Sequence, residues 1–123
     1  MSKKLESELT NALAAHSKWK LRLKTAITVG KFDQDVSDVK RCDLCEFGKW
    51  IENGGNFDAD TIEGRPYKVT RRLHKEFHEA AASVLNYALH GHPDIAEQVM
   101  EGAYAERADK LSRALTLWRS EVR

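Results

Sequence analysis

Residues 66–88 read Pro66-Tyr67-Lys68-Val69-Thr70-Arg71-Arg72-Leu73-His74-Lys75-Glu76-Phe77-His78-Glu79-Ala80-Ala81-Ala82-Ser83-Val84-Leu85-Asn86-Tyr87-Ala88, and this stretch decides the fold. Tyr67, Thr70, Leu73, His74, Phe77, His78, Ala81, Val84, Leu85 and Ala88 recur in steps of three and four, the spacing of one buried helical face. Pro66 stands where a first helical position accepts it, and His90-Gly91-His92-Pro93 breaks the pattern after Leu89. The spacing therefore predicts a helix to about Leu89. Its apolar face carries two imidazoles. At about 100° per residue, His74 and His78 lie about 40° apart around the axis, so both project from the side that bears Leu73, Phe77 and Ala81.

Upstream, Leu5, Leu9, Ala12, Leu13, His16, Trp19, Leu23, Ala26 and Ile27 trace a similar face from Lys3 to Val29. They predict one unbroken helix of about 40 Å, stopped at Gly30. Lys31 to Lys40 is rich in Asp and reads as a connecting loop with at most one helical turn. A short helix is expected from Cys42 to Glu52, with Leu44, Cys45, Phe47, Trp50 and Ile51 apolar and Asn53-Gly54-Gly55 ending it. Downstream, Asp94 is expected to open a last helix that carries Ile95, Val99, Met100, Ala103, Arg107 or Ala108, Leu111, Leu115, Trp118 and Val122. No alternation of period two persists, so no strand is expected. The fold class is all-α: an antiparallel bundle of three long helices plus a short Cys-bearing one, forming a single domain over residues 1–123.

The 123 residues fit one domain, with 41% hydrophobic and 32% charged residues, enough apolar material for a core. Lys plus Arg (20) and Asp plus Glu (19) leave a formal charge of +1, which argues against nucleic-acid binding. No secretory leader or spanning segment is evident, so a cytoplasmic protein with reduced thiols and no membrane insertion is expected.

Five His and two Cys carry the chemical information. A histidine on an apolar face is ordinarily a hydrogen-bonded core residue, and an isolated buried cysteine a small hydrophobe. Here His16, His74 and His78 all occupy inward positions, and Cys45 lies between apolar Leu44 and Phe47. Three imidazoles and one thiolate favour tetrahedral Zn²⁺ over the hard cations that prefer oxygen. Such a site, with about one net positive charge, needs acceptors for the imidazole N–H groups, either backbone carbonyls or nearby carboxylates. Cys42 reads as a solvent-side bystander rather than a fifth ligand or resolving thiol, and His90 and His92 as surface residues.

His16-Ser17-Lys18-Trp19, Cys45-Glu46-Phe47-Gly48-Lys49-Trp50 and His74-Lys75-Glu76-Phe77-His78 together resemble the three-part pattern of the bacterial chemoreceptor zinc-binding domain, or CZB domain. That pattern is H-x-x-aromatic, C-x-hydrophobic-G-x-hydrophobic and H-x-x-x-H, and the intervening residues 20–44 and 51–73 suit it. The resemblance implies Zn²⁺ held by His16, Cys45, His74 and His78, a helical bundle and a homodimer. It also implies control of a signalling output, a chemoreceptor or a diguanylate cyclase, whether attached or separate. Family members are implicated in sensing zinc and hypochlorous acid, which makes Cys45 the expected redox-sensitive residue. Gly48 removes a side chain where the short helix would approach a neighbour, and Trp19, Phe47 and Trp50 suit a dry wall around the ion. The segment ending at Arg123 reads as a complete sensory module rather than an enzyme.

One of the rival functions, a zinc hydrolase, has a sequence test. A zincin places Glu directly after the first His of its helical pair, whereas Lys75 stands there and Glu76 lies about 200° around the helix from His74. Glu46 and Glu79 lack any motif that would make them catalytic bases. The other rival is a zinc bundle that only stabilises a dimer.

Overall fold

The computed structural model describes residues 3–41, 48–49 and 65–122. Among them every regular element is helical: α1 (Lys3–Ser17), α2 (Trp19–Val29), α3 (Val36–Lys40), α4 (Arg65–Leu89), α5 (Pro93–Val99), a π-helical turn at Met100–Tyr104, and α6 (Ala105–Val122). The all-α bundle expected from the periodicity is the observed class. The short Cys-bearing helix expected at Cys42 to Glu52 falls largely outside the described residues; within it, Gly48 and Lys49 are helical and Gly48 is buried.

The first arm is broken where one continuous helix was expected. Ser17 Oγ donates to the Ala14 carbonyl (2.9 Å), the acceptor that the Lys18 amide would use in an unbroken helix. His16 Nδ1 bonds the Ala12 carbonyl at 2.7 Å. Lys18 keeps helical dihedrals (φ −74°, ψ −19°) and its carbonyl accepts from the Arg22 amide, so the interruption between α1 and α2 is a single residue. Downstream, Gly30 closes α2 in the left-handed region (φ 79°), with its amide on the Ala26 carbonyl at 2.7 Å.

The 25-residue α4 is the centre of the molecule, with α2, α3, α5 and α6 packed against it. Leu73, Phe77, Ala81, Val84 and Leu85 are buried along it, as its three-and-four spacing requires. Gly91 (φ 83°) turns the chain, and the amides of His90 and His92 donate to the Tyr87 carbonyl. The next helix opens at Pro93 rather than Asp94, which lies inside the first turn, where a carboxylate complements the helix dipole.

Contacts along the arms fix their directions. Tyr67 meets Trp118 and Phe77 meets Tyr104, so α4 and α6 are antiparallel. Arg119 near the end of α6 donates to Thr10 Oγ1 of α1. His16 meets His74 while Trp19 meets His78, so the first arm runs parallel to α4. Val29 and Arg65 therefore lie toward opposite ends of the bundle, and residues 30–64 connect them.

The π turn resets the register of the last arm. Ala96, Met100, Tyr104, Leu111, Leu115 and Trp118 are buried, whereas Ala103, expected on the inner face, is exposed. The wider turn delays the core position by one residue and delivers Tyr104 instead.

Candidate metal centre

Three of the four expected ligands come together where the first arm crosses α4. His16 Nε2 lies 3.1 Å from His74 Nε2, and His78 Nε2 lies 3.1 Å from the same atom. The ligand nitrogens of the three residues all fall within 4.8 Å of one another. The three residues are 6%, 0% and 2% exposed, respectively. With Zn–N bonds of about 2.0–2.1 Å, a tetrahedral site sets its nitrogens about 3.3 Å apart. The two contacts to His74 lie close to that edge. Cys45, the expected fourth ligand and redox-sensitive residue, lies outside the described residues, as does Cys42.

The outer nitrogens settle the protonation of two rings. A carbonyl oxygen can only accept, so the 2.7 Å contact to Ala12 makes His16 Nδ1 a donor, and the 3.0 Å contact to Val39 makes His78 Nδ1 a donor. In neutral rings their Nε2 atoms then carry lone pairs, both directed at His74 Nε2. That atom can supply at most one hydrogen. At least one of the two 3.1 Å contacts therefore opposes lone pair to lone pair when all three rings are neutral, and a Lewis acid among the nitrogens relieves the conflict. The donor set fits a borderline cation such as Zn²⁺.

Protons are poor substitutes for that cation here. Burial lowers the His16 pKa to about 4, outweighing its bond to Ala12. Burial, then the neighbouring charges of His78 and His16, lowers that of His74 to about 2. Burial likewise pushes His78 down against the stabilising Val39 carbonyl. At neutral pH the three imidazoles are uncharged, the form that binds metal.

Aromatic rings enclose the cluster. Phe77 packs edge-on to His16 and His78, with centroids 5.2 and 5.4 Å away, and Trp19 lies 6.0 Å from His78. Behind Trp19, Phe32 stacks at 5.9 Å, and the Arg22 guanidinium covers both rings. Arg22 also pairs with Asp33 and bonds Gln34, tying the loop after Gly30 over α2. Trp19 thus takes the wall position expected of it; Phe47 and Trp50 lie outside the described residues. Sequence reading assigned Phe77 only to the core, yet its place between two ligand-competent histidines follows from the same helical spacing. The supporting carbonyls of Ala12 and Val39 have no side-chain signature.

Other histidines stay apart: His90 and His92 are exposed, and His90 Nδ1 bonds the Asn86 carbonyl. Among the described residues no carboxylate belongs to the cluster; Glu76 is half-buried and Glu79 exposed. Nor, among them, is any helix long and apolar enough to cross a membrane.

A family model described as the chemoreceptor zinc-binding domain matches residues 16–85, more than half of the chain, beginning at His16 and enclosing Cys45, His74 and His78. No curated protein and no solved structure matches the chain.

Proposed function

Since the chain belongs to the chemoreceptor zinc-binding domain family, a regulatory and sensory family, we propose that it is a zinc-responsive signalling domain whose ion is held by His16, Cys45, His74 and His78. The observation that carries this reading is the convergence of three neutral imidazole Nε2 atoms on one buried point. When bound, the ion supplies Lewis acidity that ties the first arm to α4 and keeps the Cys45 sulfur as a thiolate. His16 and His78 are held in their metal-binding tautomer by Ala12 and Val39, and Phe77 and Trp19 exclude water from that side of the cluster.

The signal is zinc availability or an oxidant. In the second case hypochlorous acid oxidises the Cys45 thiolate by two electrons to sulfenic acid, and the oxidant is reduced to chloride. The ligand set then loses its thiolate, and the segment around Cys45 is released from the bundle. The output is a chemoreceptor or a diguanylate cyclase, the working form a cytoplasmic homodimer. Four protein ligands leave no open position for a substrate, which disfavours hydrolysis. A zinc bundle that only stabilises a dimer is separated from a sensor by its indifference to oxidant.

Metal analysis of protein purified without added zinc is expected to give one zinc per chain, and His78→Ala to lose most of it while keeping a helical circular-dichroism spectrum. Full retention by His78→Ala would remove His78 from the ligand set. Hypochlorous acid is expected to release zinc from the wild type and not through Cys45 in Cys45→Ala; identical release from both proteins rules out the redox switch.

A further inference from the structure

Two of the three clustered histidines anchor their outer nitrogen on a carbonyl, and the geometry points to a different anchor for the third. We propose that the Thr70 hydroxyl is the positioning group for His74, accepting a hydrogen bond from Nδ1–H when Nε2 is engaged by zinc. The inference rests on the zinc-binding reading above.

Thr70 is wholly buried on α4, and among the described residues its hydroxyl has no hydrogen-bond partner. Such a group is costly to bury and calls for an explanation. It lies one turn before His74, and helical side chains lean toward the N-terminus, so the His74 ring extends over the turn that carries Thr70. Nδ1 is bonded to the ring carbon nearest the main chain, and Nε2 is directed at His16 and His78, which sets Nδ1 on the main-chain side of the ring. His16 shows that an Nδ1 can reach back four residues along its helix, there to the Ala12 backbone carbonyl. For His74 the residue four back is Thr70. A metal-bound imidazole characteristically donates its second N–H to an oxygen, which fixes the ring and raises its basicity. The buried hydroxyl of Thr70 is an oxygen at the required register.

The test uses Thr70→Val, which replaces the hydroxyl by a methyl of similar size, and Thr70→Ser, which keeps it. Zinc affinity is measured by competition with a chromophoric chelator, and metal-free stability by thermal melting in excess chelator. Thr70→Val is expected to weaken zinc binding about 10- to 100-fold, the usual effect of losing such an anchor. It should also leave the metal-free melting temperature unchanged or raised, since a buried hydroxyl without a partner is gone. Thr70→Ser should restore affinity to near wild type. A purely structural Thr70 would move affinity and metal-free stability down together, and that result overturns the proposal, as does unchanged affinity in Thr70→Val. If the wild type binds no zinc, the zinc reading itself fails, which the same titration distinguishes.

Discussion

His16 illustrates how one residue can serve a site at the expense of the fold. Below pH 6.5 the imidazole of the unfolded chain takes up a proton that the folded one refuses until about pH 4. The unfolded state binds more protons in that window, so stability is complete above pH 6.5 and declines as the pH falls toward 4. The shift corresponds to on the order of 3 kcal/mol for this residue. Urea denaturation in excess chelator at pH 7.5 and pH 5 should therefore show a marked acid loss for the wild type and a smaller one for His16→Leu. Equal losses would mean that His16 is not held neutral. The ligand-competent histidines were legible as residues, since a polar side chain on an apolar stripe is visible in the sequence. The anchors at Ala12 and Val39 were not, because every residue but proline offers the same backbone groups and only the fold selects which carbonyl faces a ring.

At the scale of elements, the last arm holds a signal that simple periodicity passed over. Ala96, Met100, Tyr104 and Ala108 follow one another in steps of four, which overshoots the 3.6-residue turn and would carry the stripe around the helix. The π turn at Met100–Tyr104 absorbs the excess as a single extra residue. Deleting the exposed Ala103 should convert this segment into continuous α-helix, with core steps alternating between four and three, and leave a cooperatively melting protein. Deleting Ala108 instead rotates Leu111, Leu115 and Trp118 by about 100° away from the core and should abolish cooperative melting. Thermal melts followed by circular dichroism check both; a non-cooperative Ala103 deletion would show that the π turn is needed for more than register. The break at Lys18 was hidden for another reason. Ser17 and His16 are compatible with a helix and Lys18 keeps helical dihedrals, so a one-residue interruption leaves the apolar spacing on either side of it unchanged.

For the molecule as a whole, periodicity revealed how many helical arms there are but not which way each runs. An amphipathic stripe reads the same in either direction, so the parallel course of the first arm and α4 depends on the connection between them, residues 30–64. The histidine cluster inherits that topology: His16 and His74 are 58 residues apart in sequence, and only the assembled bundle brings them into contact. Their burial also has a temporal consequence. On the zinc-binding reading, an ion held by His16, His74 and His78 leaves when an element packed around it opens, so the residence time is governed by the rate of that opening rather than by ligand exchange at the ion. Zinc loss to a chelator should accordingly reach a plateau as the chelator concentration rises, and stopped-flow mixing would reveal a continued linear rise if the ion were directly accessible. A domain with such a plateau averages over brief fluctuations in free zinc and reports only changes that outlast its own breathing.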